Sequence, residues 1–501
     1  MRAEIYGARI EQSWLKGAGA ILFVLLAGAA IAFLPLTLAG AMVVGGIVLV
    51  LTLIRVEYGL CLLLFAIPFG SLKQIPAGPF TISLAEVLTA IVFAAWLAQM
   101  IAQRKAQIDF TRLFLPLAIF LAALLLSTLV ASSLSASLKE VLKWLELAMA
   151  FLVVANFVRE RRQINLLIGF LLAAGLLEAL YGMYQFFTRS GPEGFLLGAR
   201  FMRAFGTFGQ PNPFAGYLGL VLPLALGLAM GAIVKRGSFS LRPFFLFGAI
   251  ALMLLAAILM SLSRGAWLAF FAAISIMAVM VSRRSLIYLV LLLFLVAILL
   301  GLGTFNVLPQ PVTARLSIIT DYVRIFDVRK VTVTPENWAI VERMANWQAA
   351  WGMFSDHPLL GVGIGNYGVV YPHYALEGWE NTTGHAHNYY LNLLAETGII
   401  GLGAYLVFWL VAFVYVGKAL AKVKQIRQRY GTISNYGVVL GVLGTMVALS
   451  VHNLFDSLYV HSMTAQIGLT LGLMAAIVNI PDKETPVVVQ AKGQEDVFSI
   501  H

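Results

Sequence analysis

Long apolar runs separated by short polar turns recur along the 501-residue chain, broken by one extended polar stretch at 305–388. Crossing the hydrocarbon core takes about 20 apolar residues as a helix. By that measure the candidate spans are 19–34, 37–54, 58–70, 81–102, 112–131, 138–158, 164–187, 212–234, 243–262, 265–282, 286–304, 389–417, 436–455 and 463–479. Backbone groups have no partner in lipid other than their own chain, so these runs predict helices. The short alternating segments of a membrane β-barrel do not occur. The run 58–70 is the weakest, being short and ending in Pro68 and Gly70, whereas 19–34 follows a charged start but lacks a clear cleavage site and is kept as a helix. The pattern predicts an all-α polytopic membrane protein of about 12–14 transmembrane helices with one large loop containing amphipathic helices. Its parts are N-terminal membrane helices over 1–304, a loop domain over 305–388, C-terminal membrane helices over 389–480 and a polar tail over 481–501.

Composition agrees with this class: 60% of the residues are hydrophobic, 11% are charged and the mean hydropathy is +0.90. The single cysteine, Cys61, excludes an intramolecular disulfide and a CxxC metal or redox site. Charge adds an orientation. With the N-terminus inside, the cytoplasmic loops hold Arg55; Arg104, Lys105 and Arg112; Arg159, Arg161 and Arg162; Lys235, Arg236 and Arg242; Arg283 and Arg284; and Lys418, Lys422, Lys424, Arg427 and Arg429. That alternation follows the positive-inside rule, so the net charge of +11 reads as a topological signal and not as a nucleic-acid footprint. Both termini are then cytoplasmic and 305–388 faces the outside, or periplasm.

Within that outer stretch Ile340, Met344, Trp347 and Trp351 share one helical face. They predict an amphipathic helix on the membrane surface with its tryptophans at headgroup level, or else a helix capping the loop's own small core. The segment His357-Pro358-Leu359-Leu360-Gly361-Val362-Gly363-Ile364-Gly365 follows, and its glycines would permit close backbone approach to a ligand. No Lys-Ser/Thr follows, so it is not a phosphate loop. Outward arginines need a reason under the positive-inside rule. Arg189, Arg200 and Arg203 precede Phe205-Gly206, and Arg264 sits at the junction of two spans. A guanidinium fork suits phosphate, whereas an arginine at a helix end also snorkels to headgroups. Lys139, Glu140, Lys143 and Glu146 open the sixth span, where Lys143 and Glu146 can pair, and Glu178 lies inside the seventh.

The run from His387 through Asn388 to Glu396-Thr397-Gly398 and Gly401 closes the polar stretch and enters the next span. An imidazole titrating near pH 6.5 can take a proton from a hydroxyl. Glu396 either orients that imidazole or bonds backbone at the helix entry. His385, His387, His373 and His357 lack a carboxylate or cysteine at metal spacing, so no metal site is expected. His452, Asp456 and His461 form a possible second polar cluster.

In this order, Arg203-x-x-Gly206 running into Pro211-Asn212, Ser263-Arg264-Gly265, His357-Pro358-Leu359-Leu360-Gly361-Val362-Gly363 and the His387–Gly401 run resemble the O-antigen ligase and O-antigen polymerase superfamily. The resemblance covers roughly 160–480, and its layout is closest to the ligases. It implies a metal-independent, inverting glycosyltransferase without cofactor in the bacterial cytoplasmic membrane. The implied donor is an undecaprenyl-diphosphate-linked glycan, and the implied acceptor is a hydroxyl of a lipid-linked core sugar. His387 would act on the acceptor, with Arg203, Arg264, Arg343 and Arg200 on the diphosphate and Asn388, Glu396 and Asn212 supporting. A polymerase joining lipid-linked repeat units and a protein O-oligosaccharyltransferase share this chemistry and stay open. A small-solute transporter is the alternative of another class. It predicts broken helices in matching halves and inverted repeats, which the chain does not display.

Overall fold

The computed structural model describes residues 35–282 and 325–479, together with scattered positions in 21–32 and 284–294. Internal stretches 73–74, 78–79, 105–107, 198–200, 234–240, 335–336, 382–383 and 431–433 are not described.

The apolar runs form helices as expected. In chain order they are α1 (Leu36–Ile54), α2 (Val56–Phe69), α3 (Leu84–Ala102), α4 (Phe114–Ser127), α5 (Leu134–Phe157), α6 (Arg161–Thr188), α7 (Pro211–Ile233), α8 (Leu241–Met260) and α9 (Arg264–Val281). The polar stretch supplies α10 (Trp338–Asp356) and the short α11 (Tyr367–Val370), followed by α12 (Tyr389–Tyr430), α13 (Ser434–His452) and α14 (Met463–Asn479). Among the described residues, 7 helices are long and apolar enough to cross a membrane, and shorter apolar helices stand beside them. The protein is an all-α polytopic membrane protein. Two hairpins, β1 (Ile75–Ala77) with β2 (Phe80–Ile82) and β3 (Leu196–Leu197) with β4 (Phe201–Met202), are small additions in the interhelical turns. The expected spans 19–34 and 286–304 lie largely outside the described residues.

Helix ends carry recognisable signals. Ser83 and Glu86 form a capping box at α3, each satisfying the other's backbone N–H. Pro211 opens α7, where its missing N–H costs nothing. Small residues then set the packing. A Cβ on Gly227 of α7 would lie 2.3 Å from the Gly437 carbonyl oxygen of α13, and one on Gly468 of α14 would lie 2.3 Å from Leu147 O of α5. With lipid as the surrounding medium, such backbone approach replaces hydrophobic exclusion as the source of helix–helix affinity.

Contacts between loops sort the helix ends into two groups. At one end Arg162 pairs with Glu57 at 3.0 Å, Arg159 with Asp109 at 2.9 Å, and Lys424 donates to Met280 O. At the other, Thr207 donates to Pro68 O, Ser83 meets Ser462, Ser127 donates to Glu396 O and Asn212 donates to Asp456. The basic loops therefore share one end, and the site described below lies at the other.

One reading of charges near the helix interior is corrected. Lys143 pairs with Glu140, not with Glu146, whose carboxylate accepts from Thr464 Oγ1. The face of α10 is also divided. Met344 and Trp347 turn toward a small core with Val328, Val341 and Trp379, and Ile340 is buried, whereas Trp351 is exposed. The helix caps the loop's own core, the second of the two roles open to it.

Candidate functional site

The glycine-rich turn is a docking element, its glycines admitting neighbouring backbone where the sequence had suggested a ligand. Gly361, Gly363 and Gly365 all have positive φ. Added Cβ atoms would meet Glu396 C at 2.3 Å, Ala131 Cα at 2.5 Å and Ala136 O at 2.5 Å, so the neighbouring backbone fills the space. Val362 N donates to Ala395 O and Gly363 N to Glu396 O. These carbonyls are released from the helix ladder because α12 kinks at Gly398, which has φ 61 and ψ −164. Ile399 N then donates to Pro358 O, outside its own helix. Glu396 completes the joint, its carboxylate accepting from Tyr367 N at 3.0 Å. Of the two roles open to Glu396, bonding backbone is the one the structure displays.

This joint fixes the start of α12, and with it His387. Asn388 caps the helix, its Oδ1 accepting from Tyr390 N and Leu391 N. Tyr389 N donates to Asn453 O at 2.8 Å, tying the same turn to the α13–α14 connection. His387 itself sits at φ 50, a left-handed conformation that a non-glycine residue adopts only when its surroundings demand it. Its N–H donates to His385 Nδ1 at 3.1 Å, which leaves the His385 proton on Nε2.

Asp456, from the α13–α14 connection, faces both imidazoles. His387 Nδ1 is 3.8 Å and His385 Nε2 is 3.9 Å from Asp456 Oδ1. The other oxygen, Oδ2, accepts from Asn212 Nδ2 at 2.9 Å. Burial would push the Asp456 carboxyl up, but interaction with His387, His385 and Arg343 holds it well below the usual carboxylate range. Burial pushes His385 down to about 4 against the attraction of Asp456. His452 also feels the Asp456 charge, so these two members of the second polar cluster drawn from the sequence join the His385–His387 pair, whereas the His461 ring packs on Phe208.

Two cations reach this carboxylate, Arg203 through Asn212 and Arg343 through its charge. Arg203 donates from Nε to Ser261 O at 2.9 Å and from NH2 to Asn212 Oδ1 at 3.4 Å, so Arg203, Asn212 and Asp456 form a chain. Arg264, half-buried at the first position of α9, follows the Ser261–Ser263 turn that Arg203 grips. Gly265 next to it packs on Phe455, the neighbour of Asp456, with an added Cβ at 3.0 Å from Phe455 Cβ. Arg343, on α10, lies within electrostatic reach of His385, His452 and Asp456. Arg200 lies outside the described residues. Arg189 ends α6 in a left-handed conformation and is exposed. Glu178 accepts from Thr207 N and Oγ1 and so fixes the turn that leads from Arg203 into α7.

Ligand atoms of His385, His387 and Asp456 lie within 4.8 Å of one another, a spacing that suits a metal ion. Against that use, Arg343 already sets a positive charge beside the group. The donor set is that of a buried carboxylate steering an imidazole among cations. Asp456 is the residue that sequence reasoning left in a separate cluster, because its approach to His387 depends on how α13 and α14 pack.

Residues 249–406 match the family model described as O-antigen ligase. No curated protein matches the chain. The matched segment holds Arg264, Arg343, the docked glycine-rich turn, His387 and the α12 kink, while Arg203, Asn212 and Asp456 come from outside it. Among its membrane helices the chain thus carries a segment similar to the O-antigen ligase family, which comprises ligase- and polymerase-type membrane glycosyltransferases.

Proposed function

We propose that the protein transfers a glycan from an undecaprenyl-diphosphate-linked donor to the hydroxyl of a lipid-linked core sugar, on the outer face of the cytoplasmic membrane. The observation that carries this reading is the His387–Asp456 pair among Arg203, Arg264 and Arg343. Asp456 holds the His387 imidazole from its Nδ1 side, which leaves Nε2 for the acceptor. The acceptor oxygen attacks the anomeric carbon as its proton passes to His387 Nε2. The bond from that carbon to the phosphate oxygen breaks, and the lipid diphosphate leaves with the electron pair. Attack opposite the leaving group inverts the anomeric centre. Charge grows on the departing diphosphate, and preorganised guanidinium groups stabilise it most where water is excluded. The carrier's hydrocarbon tail lies along the membrane helices while the glycan projects beneath the 305–388 loop. The basic loops gathered at the opposite helix end support a cytoplasmic placement of that end.

Purified protein given a lipid-diphosphate glycan tests the reading, with a core-sugar lipid, a second donor molecule and a serine/threonine peptide supplied separately. Transfer to the core-sugar lipid is expected. Elongation on the second donor would make the protein a polymerase, transfer to the peptide would make it a protein glycosyltransferase, and no transfer to any of them would overturn the reading.

A further inference from the structure

A cavity of about 620 Å³ lies at the helix end opposite His387, among the residues just before α4, the α5–α6 turn and the far part of α12. Arg112, Arg159, Lys418 and Lys422 line it with the Tyr415 side chain, and Asp109 is the one carboxylate among its lining residues. Asp109 is engaged by Arg159 at 2.9 Å, which leaves the cavity with an excess of positive charge. The Thr111 hydroxyl in its wall is buried and has no hydrogen-bonding partner among the described residues. Topology alone accounts for cations at this end, but not for their convergence from three segments on one concavity.

The helices below the cavity extend its chemistry. On α12, Lys422, Lys418, Val414, Leu410 and Leu406 follow one another at intervals of four and are all exposed. A single stripe thus passes from ammonium groups to aliphatic side chains. On the adjacent α4, Leu115 and Ile119 continue from Arg112 in the same way, also exposed. About 30 Å of helix separates Lys418 from the Gly398 kink, the thickness of a hydrocarbon core.

We infer that this cavity binds the phosphate headgroup of an anionic membrane lipid, with the acyl chains lying along the exposed apolar stripes of α4 and α12. Arginine forks and lysine ammonium groups suit a phosphodiester, and basic pockets between membrane helices favour anionic headgroups. Free phosphate shares the headgroup chemistry but makes no use of the apolar stripes.

Native mass spectrometry of the full-length protein in detergent, titrated with phosphatidylglycerol, phosphatidylcholine or inorganic phosphate, tests the site. The expected result is saturable binding of phosphatidylglycerol in preference to phosphatidylcholine. A Lys418→Gln/Lys422→Gln double variant should weaken it about thirtyfold, at roughly one surface cation's contribution per lysine. Arg112→Gln should weaken it by a smaller factor. All three substitutions are at exposed positions, so an unchanged thermal midpoint is the folding control. Equal binding of the two lipids, or unaltered binding in the variants, would overturn the inference. Inorganic phosphate competing as tightly as the lipid would also overturn it, by making the site one for a soluble anion.

Discussion

Asp456 Oδ1 lies 3.8 Å from His387 Nδ1 while Asp456 Oδ2 accepts from Asn212, so one buried carboxylate joins the imidazole to the arginine chain that ends at Ser261. In the proposed reaction His387 is a base held by this carboxylate, which Arg203 reaches through Asn212. The two halves of the proposed chemistry meet at one carboxylate, which hydrogen bonds reach from the arginine side and the imidazole approaches from the other.

The arginines are expected to act through fork geometry as well as charge. Arg203→Lys keeps the charge but cannot hold Ser261 O and Asn212 together. The donor KM should rise about tenfold, equivalent to about 1.4 kcal/mol. Arg203→Gln and Arg264→Gln should lose more, with kcat falling as well because the leaving diphosphate is less stabilised. Steady-state kinetics on the lipid-diphosphate donor measure both. Lysine variants with unchanged KM would show that charge alone suffices.

Gly398 is expected to be required for folding and not for chemistry. A side chain there meets Leu359 C at 2.3 Å at φ 61, so Gly398→Ala must displace the docked turn or straighten α12. Backbone strain of this type costs about 1–3 kcal/mol before any clash is counted. Thermal unfolding in detergent should show a lowered midpoint, and Glu396→Ala should lower it too by leaving Tyr367 N without its acceptor.

His385 gives stability a pH dependence of defined sign. Its folded pKa is about 4, below the usual unfolded value near 6.5. Between those values the unfolded chain binds more protons, so stability rises with pH and is lost as pH falls from about 6.5 towards 4. Thermal midpoints measured across that window should fall on acidification, and His385→Gln should flatten the slope. An unchanged slope in the variant would remove His385 as its source.

The transfer is expected to proceed without a bound metal. Incubation with EDTA followed by assay in chelated buffer should leave the rate unaltered. A rate lost to EDTA and restored by one divalent cation would reassign His385, His387 and Asp456 as ligands, a use that their 4.8 Å grouping permits.

The sequence made some of this legible for identifiable reasons. Membrane helices announce themselves because lipid demands long apolar runs, and α1–α9 and α12–α14 fall where those runs lie. Arg203 and Arg264 stood out as outward cations against the positive-inside rule, and His387 as a titratable group at a helix entry. Asp456 was seen but assigned elsewhere, because only the packing of the α13–α14 connection against α7 and α12 brings it to His387. The glycine-rich turn misled for a related reason. Positive φ and missing side chains look the same whether a ligand or a neighbouring backbone fills the space, and here α12 fills it. Glu396 shared that ambiguity, since a carboxylate nine residues after a histidine, about two and a half helical turns on, can face toward it or away from it.

The central claim is that His387 and Asp456 work as one unit, and a double-mutant cycle on glycan transfer tests it most directly. Single-turnover rates would be measured for the parent protein, His387→Ala, Asp456→Asn and the double variant, with donor binding followed separately. His387→Ala should lower the rate about 10²–10⁴-fold with donor binding retained. Asp456→Asn should lower it substantially too, and the double variant should be no slower than His387→Ala alone. Full activity in His387→Ala, or effects that simply multiply in the double variant, would contradict the account.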